Sequence, residues 1–155
     1  MLTEKVKLLQ KVALFAGGNV LLLQRSPEEH SRPGCWDLPG GNSEWPTGEQ
    51  AGFGLHKADL IRELQEETGL LLQSTDFTHN DLVYFETFFD KPKQQFSVIC
   101  GWRYDLPADF DPQSIRLSHE HTAFAWVQPD QLDQYDFGGD RGAFITEIIS
   151  RGAAE

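Results

Sequence analysis

The stretch Arg62-Glu63-Leu64-Gln65-Glu66-Glu67-Thr68-Gly69-Leu70 decides how this chain is read. At ~100° per residue on a helix, Glu66 lies about 60° to one side of Glu63, and Glu67 about 40° to the other. The three carboxylates therefore share one narrow face. Leu60, Ile61 and Leu64 fall on a different face, which can bury. Like charges at this spacing cost roughly 0.2–0.5 kcal/mol per pair. A plain alternative is a solvated acidic surface. Clustered carboxylate oxygens are also the natural ligands of hard divalent cations such as Mg2+.

The surroundings of this stretch carry further information. Leu38-Pro39-Gly40-Gly41 lies upstream, Arg62 directly precedes the first Glu, and Gly69 then Leu70 close the helix. The combination resembles the Nudix box. Arg62, Glu63, Leu64, Glu66, Glu67, Gly69 and Leu70 match every specified position of its second half. The first half departs from the pattern. The loop between Gly41 and Arg62 is longer by two residues before Glu49 and by five after it. Pro46-Thr47-Gly48-Glu49 resembles the usual segment there, and the extra residues lie around Gln50 to His56. Closure entropy grows slowly with loop length, so such an insertion is tolerable.

The resemblance implies an α/β fold, an α/β/α sandwich with a mixed β-sheet between helices. It implies hydrolysis of a phosphoanhydride in a nucleoside diphosphate linked to a further group, with Mg2+ as cofactor and Mn2+ as a possible substitute. It makes Glu63, Glu66 and Glu67 metal ligands, joined by the backbone carbonyl of Gly40, with Arg62 orienting the glutamates. Glycine has a physical use there, since backbone without side chains approaches ions and phosphates closely. The plain alternative for Gly40 and Gly41 is a tight turn. A further carboxylate is expected from a loop before a late strand, where Leu117-Ser118-His119-Glu120-His121 precedes Ala123 to Val127. Glu120 is the candidate ligand or base, with His119 and His121 as alternatives. Arg25 ends a strand and is a candidate for substrate phosphate, a geometry that Arg matches well. Asp59 reads as a solvated charge. Trp36, Trp45, Trp102 and Trp126 include candidates for base stacking.

Bulk properties set bounds. The chain of 155 residues is expected to form one domain. Its 13 Lys and Arg against 24 Asp and Glu give a net charge of −11. That argues against a general nucleic-acid or anionic-membrane surface, both of which want basic patches. Metal-chelated phosphates remain compatible with it. Cys35 and Cys100 show no zinc spacing and read as reduced thiols. The N-terminal apolar stretch is too short for a convincing signal peptide, so a cytoplasmic protein is expected.

Periodicity supplies the remaining elements. Lys5 to Phe15 alternates as a strand with one solvated face carrying Lys5, Lys7 and Lys11. Gly17-Gly18-Asn19 makes a hairpin turn, and Val20 to Leu23 is a buried central strand. A helix spans about Leu55 to Thr68, with Gly69 as a left-handed cap. Asp81 to Phe89 and Gln94 to Tyr104 form a hairpin, and Gly142 to Ser150 a closing amphipathic helix.

The short chain looks closest to MutT-like hydrolases of nucleoside triphosphates, oxidised nucleotides or dinucleoside polyphosphates. It lacks length for the extra N-terminal sheet common among ADP-ribose hydrolases. The alternatives are a nucleotide sensor without hydrolysis, an ADP-ribose or nucleotide-sugar hydrolase, and a simple acidic metal-binding domain. Monomer and homodimer both remain open.

Overall fold

The computed structural model describes residues 5–44, 46 and 48–154. Seven strands and two helices follow in the order β1 (Val6–Ala16), β2 (Asn19–Arg25), β3 (Trp36–Asp37), β4 (Gly40–Asn42), α1 (Leu55–Thr68), β5 (Leu82–Asp90), β6 (Gln95–Asp105), β7 (His121–Val127) and α2 (Ala143–Ala153). All seven strands belong to one sheet. It is mixed: β1 runs parallel to β6, and the other pairings are antiparallel.

The sheet forks. Gly17 and Gly18 take φ of 56° and 83°, the left-handed pair that a two-residue hairpin turn needs. Beyond this turn β1 and β2 pair only at Phe15 with Val20 and Ala16 with Asn19. They then diverge, and residues 36–42 fill the gap: β3 pairs with β2, and β4 with β1. The Gly pair is therefore strand rather than turn. On its other edge β2 is covered by β7.

Each face of the sheet carries a helix and a core. On one face α1 packs Leu60 and Leu64 against Val12, Leu14, Leu21, Leu23 and Trp102. On the other, Ile145, Ile148 and Ile149 of α2 meet Ala13, Phe15, Val20 and Leu22. Alternate residues of β1 thus enter different cores, and the expected solvated face is absent from residues 10–15. Lys11 is only 4% exposed, because its ammonium group finds Asp37 inside the fork. A buried charge is tolerable when paired and hydrogen-bonded in this way.

Candidate active site

Helix α1 presents its glutamates to three different surroundings. Glu67 faces inward and is 4% exposed. Its Oε2 accepts a hydrogen bond from the Gly40 backbone N–H at 2.8 Å. Burial pushes its pKa up to about 8, with Glu63 and Asp37 adding to the rise, against Lys11 and the Gly40 N–H. Glu63 packs against β4: a Cβ on Gly41 would sit 3.0 Å from its carboxyl carbon. Burial also raises the Glu63 pKa, helped by Glu66 and Glu120, while Arg62 opposes the rise. Glu66 lies on the outer rim, with 56% of its side chain exposed.

Arg62 links the outer pair. Its Nη1 donates to both oxygens of Glu66 at 3.1 Å, and its Nη2 donates to Glu63 at 3.1 Å. Glu44 and Asp59 lie 3.7 and 4.0 Å from the same guanidinium. Asp59 is less solvated than the sequence suggests, since it also accepts the Glu44 N–H at 3.1 Å.

The loop before β7 meets the inner face of the helix. Oxygens of Glu67 and Glu120 and a ring nitrogen of His121 all lie within 4.8 Å of one another. The Ser26 N–H donates to the Glu120 carbonyl at 2.8 Å, and His121 pairs with Arg25 across the sheet. These backbone bonds fix the loop to the end of β2. Glu120 is exposed, whereas His121 is buried and its Nδ1 has no partner among the described residues. Burial pushes the His121 pKa down to about 4, assisted by Lys11 and Arg25 against Asp37. Two crowded carboxylates beside an imidazole are a donor set that a cation would satisfy.

Behind this group lies a network without a sequence motif. Asp37, fully buried, accepts on Oδ2 from Lys11 at 3.1 Å, Arg25 at 3.1 Å and Arg32 at 2.9 Å. Its Oδ1 takes the Leu38 N–H at 2.8 Å, and Lys11 also reaches the Leu38 carbonyl at 3.2 Å. Lys11 and Asp37 thereby hold the segment that delivers the Gly40 N–H to Glu67. The partners come from β1, β2 and a loop, and only the fold brings them together. Arg25 belongs to this network: its Nε donates to the Ser31 carbonyl at 2.8 Å, and Glu29 lies 3.7 Å from its Nη2.

The remaining candidates are placed as follows. His119 and Glu49 are exposed. Trp36 meets Tyr135 edge-on, Trp102 stacks with His56 and meets Phe77 edge-on, and Trp126 donates to the Pro112 carbonyl at 2.7 Å. Trp45 and Thr47 lie outside the described residues. Ahead of α1, buried Gln10 donates to both Ser43 Oγ and the His56 carbonyl, tying the two positions to β1. Phe53, just before α1, is fully exposed. Cys35 and Cys100 are both free thiols. Among the described residues, no helix is long and apolar enough to cross a membrane.

The chain has relatives among known proteins. Residues 11–147 match the NUDIX domain family, and the chain belongs to it as a Nudix hydrolase. Among its relatives is the nucleoside triphosphatase NudI of Escherichia fergusonii. It is 34% identical over 122 residues, covering 77% of this chain and 79% of the relative. The fold is similar to the MutT protein of Methanosarcina mazei Go1, with a TM-score of 0.65, 21% identity, and 99% and 97% of the two chains covered. It is also similar to a C. elegans Ap4A hydrolase, with a TM-score of 0.59, 22% identity, and 97% and 96% covered.

Proposed function

We propose that this protein hydrolyses a phosphoanhydride bond in nucleoside triphosphates or related nucleoside diphosphates linked to a further group. The observation that carries the reading is buried Glu67, held by the Gly40 N–H and facing Glu120 and His121 within 4.8 Å. A solvated acidic helix has no need to bury a carboxylate or to meet a second carboxylate from a distant loop. The relatedness to NudI favours the triphosphate class.

Glu63, Glu66, Glu67 and Glu120, with the Gly40 carbonyl, are the proposed ligands of a divalent ion, Mg2+ or in its place Mn2+. When bound, such an ion supplies positive charge to phosphate oxygens and acidifies water. The chain's own groups do the rest. Arg62 holds Glu63 and Glu66 in one orientation, limiting the rotamer freedom lost when they engage a ligand. Glu120 or His121 stands where a proton could be taken from water, and geometry is the first requirement for that role. Arg25 is kept as a candidate for substrate phosphate. To reach one it would leave Glu29, the loosest of its contacts. Both helices pack on one sheet, and we read the chain as one catalytic domain. Two free thiols suit a reducing cytoplasm.

The test is turnover of a panel of nucleoside triphosphates, oxidised nucleotides, dinucleoside polyphosphates, ADP-ribose and nucleotide sugars with Mg2+. Glu66→Gln and Glu67→Gln should each lower kcat by about a hundredfold or more, the scale of losing a charge-stabilising group. Circular dichroism should show both variants folded. Near-wild-type turnover in both would sink the assignment, and binding without turnover on any substrate would favour a sensor.

A further inference from the structure

Strand β5 is an outer edge of the sheet, and among the described residues only β6 pairs with it. It carries three largely exposed rings: Phe85 at 59%, Phe88 at 58% and Phe89 at 48%. Phe96 of β6 lies against Phe89, with ring centroids 6.1 Å apart, and extends the apolar surface inward. A long apolar edge is a template for another strand, and soluble proteins normally blunt it with charge or cover. Between Tyr84 and Asp90 the only charged residue is Glu86.

The backbone shows how this edge is offered. The Thr87 N–H donates to Oε1 of its neighbour Glu86 at 2.9 Å, which turns it away from β6. By the alternation of an antiparallel ladder, Phe85 and Phe89 also direct their N–H and C=O groups outward. The pairing with β6 is regular from Tyr84 to Asp90, and Thr87 is the midpoint of that stretch.

We infer that β5 pairs antiparallel with β5 of a second copy of this chain, with the two-fold axis at Thr87. Thr87 then faces Thr87 of the second copy, and Phe85 faces its Phe89. Charge selects this register. An axis at Glu86 would set that carboxylate against its own copy, and an axis at Phe88 would set Glu86 against Asp90. Like charges directly opposite destabilise a strand pair. With the axis at Thr87, Tyr84 lies opposite Asp90 of the second copy. Arg151 already sits over the Tyr84 ring, 5.3 Å from its centroid, so a cation of each copy approaches a carboxylate of the other. At ~150–250 Å2 per ring, the exposed parts of Phe85, Phe88 and Phe89 supply roughly 250–400 Å2 per copy. A specific interface needs about 1,000 Å2 in total, or ~500 Å2 per copy. The backbone edge and Thr87 contribute the remainder, which gives a dimer that dissociates on dilution. The competing reading is a guarded edge, in which Glu86 occupies the Thr87 N–H and its charge keeps copies apart.

Sedimentation equilibrium across micromolar concentrations separates the two. Wild type should show a monomer–dimer equilibrium. Thr87→Pro removes an outward N–H, which an edge strand tolerates, and should weaken the dimer at least about tenfold. Phe89→Lys should do the same without altering the backbone, and it carries the test if thermal unfolding shows the proline variant misfolded. Both positions are exposed. Register is read by cross-linking. Residues directly opposite in a hydrogen-bonded pair lie ~5.5 Å apart between Cα atoms, within disulfide range. Thr87→Cys should therefore form an interchain disulfide under mild oxidation, whereas Phe85→Cys, which faces Phe89, and wild type should not. A wild type that stays monomeric overturns the proposal. So does a dimer that Phe89→Lys leaves unchanged, or one that cross-links through Phe85→Cys rather than Thr87→Cys. A monomeric wild type whose turnover falls in Phe89→Lys also overturns it, and would assign the rings to the substrate.

Discussion

Two adjacent glycines do different work in this site, and a methyl group separates their roles. A Cβ on Gly40 would collide with the backbone carbonyl of Gln10 in β1, at a residue whose φ is +134°. Backbone cannot step aside, so Gly40→Ala should destabilise by at least ~1–3 kcal/mol from conformational strain alone. At Gly41 the added Cβ meets only the carboxyl end of Glu63, a flexible side chain, at 3.0 Å. Gly41→Ala should therefore stay within about 0.5 kcal/mol of wild type, the usual range away from core features. Its kcat should nevertheless fall, because Glu63 must turn away from β4. Turnover should fall in both variants, but urea denaturation should show lost stability only in Gly40→Ala, whose displaced N–H also serves Glu67. Equal loss of stability in both would show that the Glu63 carboxylate is itself immovable. The sequence motif pointed to both glycines but could not divide their roles. The collision depends on β1, about thirty positions upstream.

At the scale of elements, α1 was the most legible part of the chain. Its apolar residues recur with helical spacing and Gly69 stops it, so the expected span of Leu55 to Thr68 agrees with the observed one. Gly69 adopts φ of 78°, and its N–H returns to the Gln65 carbonyl. An L-residue in this left-handed conformation costs roughly 1–2 kcal/mol. Gly69→Ala should then lower the Tm by several degrees, at ~2–4 °C per kcal/mol for a chain of this size. An unchanged Tm would mean that the helix ends elsewhere in solution. Strand β4 was much less legible. Two glycines have weak strand preference, and only their pairing with Leu9, Gln10 and Lys11 makes them a strand. Lys11 was misread for the same reason. Alternation correctly gave a strand, but the carboxylate that buries this lysine lies 26 residues away. Local pattern reports the period of an element and says nothing of which distant chain will cover it.

For the whole molecule, the fork between β1 and β2 is where stability and the active site meet. Three cationic side chains converge on one oxygen of Asp37, tying β1 through Lys11, β2 through Arg25, and the intervening loop through Arg32. Arg32 also reaches the Phe137 carbonyl, extending the tie toward the segment before α2. Removing the shared anion leaves buried cations unpaired, which in comparable buried pairs costs about 3–5 kcal/mol. Asp37→Asn keeps the size of the side chain and should show a loss of that order in urea denaturation at pH 7. Acid dependence offers a sharper check. Burial alone would raise the Asp37 pKa, but Lys11, Arg32 and Arg25 outweigh it and hold the carboxyl below its ordinary value. A carboxylate depressed on folding contributes stability that is present above the unfolded pKa of ~3.9 and disappears as pH falls through the folded value. The gap between wild type and Asp37→Asn should therefore be constant from neutral pH down to about 4, and narrow below it. A gap that already closes between pH 7 and 5 would assign the acid sensitivity to another group. Because Lys11 and Asp37 also fix the segment carrying the Gly40 N–H, Asp37→Asn should lower turnover even where it remains folded. That loss should persist under conditions that restore wild-type stability, which separates a misplaced Glu67 from simple unfolding.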